Sequence, residues 1–313
     1  MMSSSLTPEV RQLRVSTFAG VAALPVHIAR DRGYFAACGL EVELIETRSS
    51  SDLMSGLVNE AFQVVHASPD NVVAWRDRVG AEIVAWIGLA SGPVALVAAP
   101  GVTSIAALAG ERIAVDAPQS GFVSVLRRML SEGGIDPTEV ELVPVGATDL
   151  RFESLRAGSV AGTLLTLPWL LSATDARFAV LAEQSKVAPR LQGSCGASLR
   201  PWLASHPKAA DAYLRAIVAV LTWLYLPASR PAVRDHIRER FGVDDRQADA
   251  ACDAFLDPAG GWPPSARIDP AGMELVCALR ADTDAPALGP PDSYYTLDPY
   301  ARVLGSRLLG ADL

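Results

Sequence analysis

Short apolar runs of strand length alternate with stretches whose apolar positions recur at helical spacing through the first 182 residues. Leu13 to Phe18 reads as a strand, Leu24 to Arg32 as a helix with Pro25 near its first turn, and Glu41 to Glu46 as a strand with alternating faces. Leu53, Met54, Leu57, Val58, Ala61 and Phe62 mark a helix over Asp52 to Phe62. Gln63 to His66 reads as a short buried strand, Asn71 to Arg78 as a helix and Ala81 to Leu89 as a strand. This alternation predicts an α/β chain with helices on the faces of a parallel sheet.

The apolar segment Val94 to Ala99 stops at Pro100-Gly101 and reads as a first crossing into a second lobe. There, Ser104 to Leu108 predicts a short helix, Arg112 to Val115 a strand, and Ser120 to Glu132 a helix capped by Ser120 and stopped at Gly133-Gly134. Glu141 to Val145 completes a βαβ unit. Thr148 caps a helix through Arg156. Val160 to Leu165 is a strand, Pro168 starts a helix, and Phe178 to Leu181 ends the lobe. The chain recrosses near Gln192 to Ala197, and the rest is helical: Pro207 to Leu226, Ala232 to Phe241, Asp245 to Leu256 and Pro270 to Arg280. The expected division is 1–97 with 193–313 for the first lobe and 98–192 for the inserted one. No internal sequence repeat is visible.

Composition narrows the function. A chain of 313 residues, half of them apolar, can bury large cores, and two lobes suit it better than one. The net charge of −8 and the absence of basic runs argue against a nucleic-acid surface. The four cysteines, Cys38, Cys195, Cys252 and Cys277, form no CxxC pair and no zinc-type cluster, so buried thiols are expected, and no metal or cofactor. No window approaches 18 unbroken apolar residues, so no transmembrane segment is expected. Met1 to Leu13 does not read as a signal peptide. Either an export signal has been removed, placing the protein in the periplasm or at the cell surface, or it stays in the cytoplasm.

Gly33-Tyr34-Phe35, followed by Gly39-Leu40-Glu41-Val42-Glu43-Leu44, closes a helix, turns, and opens a strand. This resembles the start of the solute-binding family whose members bind nitrate, alkylsulfonates, taurine and thiamine-pyrimidine precursors for ABC-type importers. Further stretches are similar to the same family: Leu108-Ala109-Gly110-Glu111-Arg112 before a strand, Asp116-Ala117-Pro118-Gln119-Ser120-Gly121-Phe122 after it, Leu155 to Gly162, Thr166-Leu167-Pro168-Trp169, and His206-Pro207 before a long helix. In order they span roughly residues 13 to 225. The resemblance implies a type II periplasmic-binding-protein fold with a cleft between two lobes, extra C-terminal helices, and a monomer that delivers a small organic ligand, anionic or aromatic, to an ABC permease if exported. The alternative is a cytoplasmic enzyme or ligand sensor on the same fold. The family's pyrimidine-precursor synthases carry a cysteine-rich motif where this chain has Gly193-Ser194-Cys195-Gly196-Ala197-Ser198. They also use a lysine and a histidine where Ala67, Ser68, Pro69 and Asp70 stand here. Its desulfinases use a cysteine where this chain has Thr17-Phe18-Ala19-Gly20-Val21. Neither activity transfers, and no catalytic residue is assigned.

Ligands of open α/β sheets bind beyond the carboxyl ends of the strands. The first lobe then offers Phe18, Ala19, Gly20 and Val21; Arg48, Ser49 and Ser50; and His66, Ser68 and Asn71. The second offers Gln119, Ser120, Gly121 and Phe122, then Thr148, Pro168 and Trp169, with Cys195 at the hinge. Ser50 and Ser120 open helices whose N-termini favour an anion, or they are simple caps; the two roles are compatible. Phe18, Phe122 and Trp169 suit a flat apolar ligand part or core packing. His66 is balanced between ligand contact and a structural role. Arg48 and Arg151 suit a counter-charge, although a solvated surface role is the simpler reading, and Asp70 and Asp116 suit turns or caps.

Overall fold

A computed structural model describes residues 12–118, 120–257, 260–281 and 289–305. The first lobe begins with strand β1 (Gln12–Phe18), helices α1 (Leu24–Asp31) and α2 (Tyr34–Ala37), β2 (Glu41–Thr47), α3 (Ser50–Val58), β3 (Val64–Ala67), α4 (Pro69–Val79) and β4 (Ile83–Leu89). The second holds β5 (Val94–Ala98), β6 (Arg112–Val115), α5 (Gly121–Glu132), β7 (Glu141–Pro144), α6 (Thr148–Arg156), β8 (Gly162–Thr166), α7 (Trp169–Asp175), β9 (Ala179–Glu183) and α8 (Gln184–Val187). The chain returns through β10 (Ser194–Leu199) and ends in α9 (Arg200–Ser205), α10 (Pro207–Leu224), α11 (Arg230–Phe241), α12 (Asp245–Phe255), α13 (Pro270–Ala281) and α14 (Asp298–Leu304).

Each lobe has one five-stranded sheet, ordered β2-β1-β3-β10-β4 and β7-β6-β8-β5-β9. The two orders are the same pattern. Four strands run in one direction, and the fourth position in the order is taken by the single antiparallel strand: β10 against β3 and β4, β5 against β8 and β9. The sheets are therefore mixed rather than parallel. The antiparallel strand is in each case the one on which the chain has just crossed from the other lobe. All five residues of β5 sit in the second sheet, so the first crossing lies at 90–93, ahead of the boundary expected between residues 97 and 98.

Burial follows strand alternation. Val64 faces the core shared with α1 and α10, while Val65 and Ala67 face α3, α4 and α13. β4 is buried along all seven residues because helices cover both its faces. The second lobe is built likewise. Leu126, Met129 and Leu130 of α5 pack on one side of its sheet, and Phe152 and Leu155 of α6 on the other. α13 reaches both lobes: Met273, Val276 and Cys277 belong to the first lobe's core, and Leu279 to the second's. The four cysteines are free thiols, three of them buried.

Element ends differ from expectation where a local contact decides them. α3 starts at Ser50 rather than Asp52, because the Ser49 hydroxyl caps it by accepting from the Asp52 N–H at 3.2 Å. It ends at Val58 rather than Phe62, because the chain turns at Glu60 (φ 58°) and Ala61 N–H donates to the Gly56 carbonyl at 2.8 Å. Thr148 is the first helical residue of α6, with Ala147 in the cap position. Among the described residues no single helix is long and apolar enough to cross a membrane. α10 and α11 reach that length only as a pair bent by 86°.

The segment around Ala266 lies directly on β4: Gly88 N–H donates to the Ala266 carbonyl at 2.8 Å. A Cβ at Gly88 would sit 2.0 Å from the Arg267 carbonyl oxygen, a backbone atom that cannot swing aside. Gly88→Ala is therefore expected to destabilise the protein by about 1–3 kcal/mol, read as a lower urea midpoint at unchanged slope.

Candidate functional site

The carboxyl ends of β1 and β3 in one lobe face those of β6 and β8 in the other, with both crossings at the side. Between them lies a cavity of about 130 Å³. The first lobe lines it with the turn after β1 and with the end of β3 and start of α4. The second lobe contributes Asp116 directly after β6, the start of α5, and Thr148 and Arg151 on one face of α6, three residues apart. Ser91 and Ser194, one at each crossing, close the side.

Of the residues expected at the site, Phe18, Ala19, Gly20, Val21, His66, Ser68, Asn71, Ser120, Gly121, Phe122 and Thr148 line this cavity. Gln119 lies outside the described residues. Arg48, Ser49, Ser50, Pro168, Trp169 and Cys195 do not line it. Arg48 sits at the rim, its side chain 70% exposed, 3.4 Å from Asp149 of the other lobe. Ser49 caps α3. Ser50 is buried and directs its hydroxyl and backbone N–H at the Asp116 carboxylate, so the N-terminus of α3 faces the protein's own anion. Pro168 occupies the cap position of α7, and Trp169 packs edge-on against Phe241, ring centroids 6.2 Å apart. Cys195 points into the first lobe's core, where burial pushes its thiol pKa well above the usual range.

Two charged side chains in the lining were expected elsewhere. Arg151, read as a surface residue, is only 7% exposed. It donates to the Leu164 carbonyl at 2.9 Å and to the Thr148 hydroxyl at 2.8 Å, and its Nε has no partner. Burial pulls its pKa down to about 10, opposed by Asp116 and Asp149, so it stays charged at neutral pH. Asp116, read as a turn residue, is half-buried. Burial raises its pKa, and Ser50 and Arg151 resist the rise. The three-residue spacing from Thr148 was the available signal for Arg151; the strand end at Val115 was the signal for Asp116.

His66 is buried, with Nε2 2.8 Å from the Tyr213 hydroxyl and Nδ1 unpartnered. Burial lowers its pKa to about 3, so it is neutral at physiological pH. Asp70 lies behind the cavity rather than in a simple cap. It is 3.1 Å from Arg280 of α13 and accepts from Ser124 of the other lobe at 3.4 Å, and burial pushes its pKa up to about 7. Among the described residues no cluster of His, Cys, Asp or Glu is arranged to hold a metal ion.

The lobes meet closely around the cavity. A Cβ at Gly121 would fall 2.4 Å from Ser68 Oγ and 2.6 Å from Ser68 Cβ across the cleft. Asp175 of α7 accepts from Gln247 at 2.8 Å and pairs with Arg246, both on α12.

The model of the NMT1-like family matches residues 6–238. No curated protein sequence matches the chain. Among solved structures, the chain is similar to the periplasmic nitrate-binding protein NrtA from Synechocystis PCC 6803 (TM-score 0.80, 15% identity, 97% of this chain and 90% of that one). It is also similar to the alkanesulfonate-binding protein SsuA from Xanthomonas axonopodis pv. citri bound to MOPS (TM-score 0.72, 16% identity, 88% and 95%). A third is a Candida albicans protein described as exhibiting the generic periplasmic binding protein structural fold (TM-score 0.73, 12% identity, 91% and 96%). The fold is the two-lobed periplasmic-binding-protein fold.

The lowered pKa of His66 sets a pH dependence. The unfolded chain takes up this proton near pH 6.5 and the folded protein only near 3, so His66 contributes stability above pH 6.5 that is lost as pH falls towards 3. Asp70 acts in the opposite sense: stability contributed by its raised pKa is lost as pH rises from the usual carboxylate range through about 7. His66→Asn is expected to reduce the acid-side slope of stability between pH 4 and 6 by about 1.4 kcal/mol per pH unit, measured by urea unfolding across that range.

Proposed function

The chain belongs to the NMT1-like family, and from that premise we propose that it is the solute-binding component of an ABC-type importer. It encloses a small organic ligand between its lobes and delivers it, as a monomer, to a permease from the periplasm or cell surface. The observation that carries this reading is the cavity itself. It lies between the lobes, it is walled by loops at the carboxyl ends of strands from both sheets, and the two chain crossings run along its side. An apolar cavity of about 150 Å³ holds a benzene ring, so about 130 Å³ suits a ligand of about six heavy atoms. Phe18 and Phe122 offer it apolar walls, and Arg151, with N–H groups to spare, offers a partner for an acidic group. Crossings at 90–93 and 188–193 supply the hinge. Binding rather than catalysis is supported by the chemistry of the lining. Cys195 is turned away with its thiol held protonated, and His66 is committed to Tyr213.

Purified protein incubated with small organic acids and amino acids, followed by melting temperature and tryptophan fluorescence, tests this reading. Saturable stabilisation with the added molecule recovered intact is expected. Conversion of a bound molecule to product would sink it. Closure is tested separately. Gly121→Val inserts atoms where the lobes touch, so it is expected to weaken ligand binding tenfold or more and to enlarge the radius of gyration in solution scattering. Its ligand-free melting temperature should stay near wild type.

A further inference from the structure

Three titratable side chains line the cavity: His66, Asp116 and Arg151. His66 carries no charge at neutral pH, which leaves one guanidinium and one carboxylate. Both come from the second lobe, Asp116 from the end of β6 and Arg151 from α6. Just outside, Asp149, whose field reaches Arg151, pairs with Arg48 at 3.4 Å, and Asp52, whose field reaches Asp116, adds a further negative charge. The guanidinium in the cavity wall is thus already opposed by carboxyl groups before any ligand arrives.

That opposition constrains the ligand. A charge enclosed between two lobes loses its hydration and needs a compensating charge or a full set of hydrogen bonds. A simple monoanion at Arg151 would compete with Asp116 for the same cation, leaving one negative charge uncompensated in the closed cavity. A molecule that carries its own positive charge or N–H donors beside its acidic group brings no such deficit. Its acid meets the guanidinium, its donor meets the carboxylate, and no net charge is added. We infer that the cavity takes a small amphoteric molecule of zero net charge, and that Asp116 is the specificity-determining residue that rejects simple monoanions. This inference rests on the proposal that the cavity is the solute site. It separates this chain from its structural neighbours named for nitrate and alkanesulfonate.

Removing the carboxylate should expose the effect without knowledge of the ligand. In Asp116→Asn, Arg151 loses the larger of the two carboxylate fields on it, and a small planar anion should then fill the gap. Melting temperature is followed while sodium nitrate replaces sodium gluconate at constant ionic strength, for the wild type, Asp116→Asn and the double variant Asp116→Asn/Arg151→Gln. Asp116→Ser serves if Asn at this position blocks folding. A saturable rise of roughly 2 °C or more is expected in the single variant, with the wild type and the double variant flat. A wild type that responds to nitrate as strongly as the single variant overturns the inference, as does a single variant that does not respond. In a second arm, β-alanine and butyrate, equal in heavy atoms and different in charge, are compared on both proteins. Wild type should favour β-alanine, and the preference should shift at least tenfold towards butyrate in Asp116→Asn; butyrate preferred by the wild type overturns the inference. Turnover of a bound molecule would defeat the transport proposal and leave the nitrate result standing.

Discussion

The antiparallel strand in the fourth position of each sheet is the constraint from which the rest of the structure follows. β10 is hydrogen-bonded on both sides, to β3 and β4, and β5 on both sides, to β8 and β9. Without its inserted strand, either sheet would present two buried rows of unpaired N–H and C=O groups, each costly to leave unmade. Each lobe is therefore completed only when the chain has crossed from the other. The exchange also forces the crossings to lie side by side, since both inserted strands enter from the cleft end. Ser91 and Ser194, at those crossings, line the cavity, so the hinge and the ligand wall share residues.

The same geometry decides where charge can sit. Strand ends point at the cleft, and the residues just beyond them have fewer neighbours than the strands. Burial works against the charge of both Asp116 and Arg151 there, and each opposes that effect on the other, with Ser50 and Thr148 adding hydrogen-bonding groups. Asp70, one layer deeper, shows the alternative. Burial pushes its carboxyl to about 7 even with Arg280 at 3.1 Å, so proximity to an arginine does not by itself hold an aspartate in its ordinary range. The cavity pair is less buried on the carboxylate side, which leaves Asp116 free to answer a ligand.

Much of the fold was legible in the sequence because strand and helix periodicities are local. The ranges for β1, β2, β6 and α10 agree with the apolar pattern to within two residues. Gly33 and Gly39, both at positive φ, bracket α2 at the turn that carries the family resemblance. The sheet exchange was not legible, because a strand's partner can lie far along the chain, as Ala197 of β10 does from Val65 of β3, and β5 looks like any buried strand. The repeat of topology left no repeat of sequence for the same reason: pairing order is conserved in space, not in residue type. At the site, positions at the ends of β1 and β3 and the starts of α5 and α6 were found, whereas Asp116 after β6 was read as a turn residue and Arg48, Ser49 and Ser50 after β2 do not reach the cavity. Trp169 stands next to the right proline, yet the ring packs on Phe241 of a C-terminal helix. Arg151 looked solvated because, although Thr148 lies one turn before it in α6, its other partner is the Leu164 carbonyl of β8, which α6 alone does not announce.

Opening the cleft separates contacts of very unequal weight. Arg48 with Asp149 is an exposed pair, and Arg246 with Asp175 is largely so. Such pairs contribute about 0–1 kcal/mol each in water and re-form readily. The buried pair of Asp70 and Arg280 lies within the first lobe and its C-terminal helix, so it survives opening; across the lobes it offers only the 3.4 Å hydrogen bond from Ser124. Leu279 is of another kind, an apolar side chain of α13 seated in the second lobe's core. Withdrawing it exposes apolar surface on both sides, at a cost near that of exposing one leucine, about 1.5–3 kcal/mol. The rim is thus held by weak polar contacts, while apolar contacts join the lobes at two places, Leu279 of α13 in the second lobe's core and Leu167 and Trp169 of the second lobe against the first. That distribution favours a hinge that swings open at the rim while α13 keeps the two lobes in register.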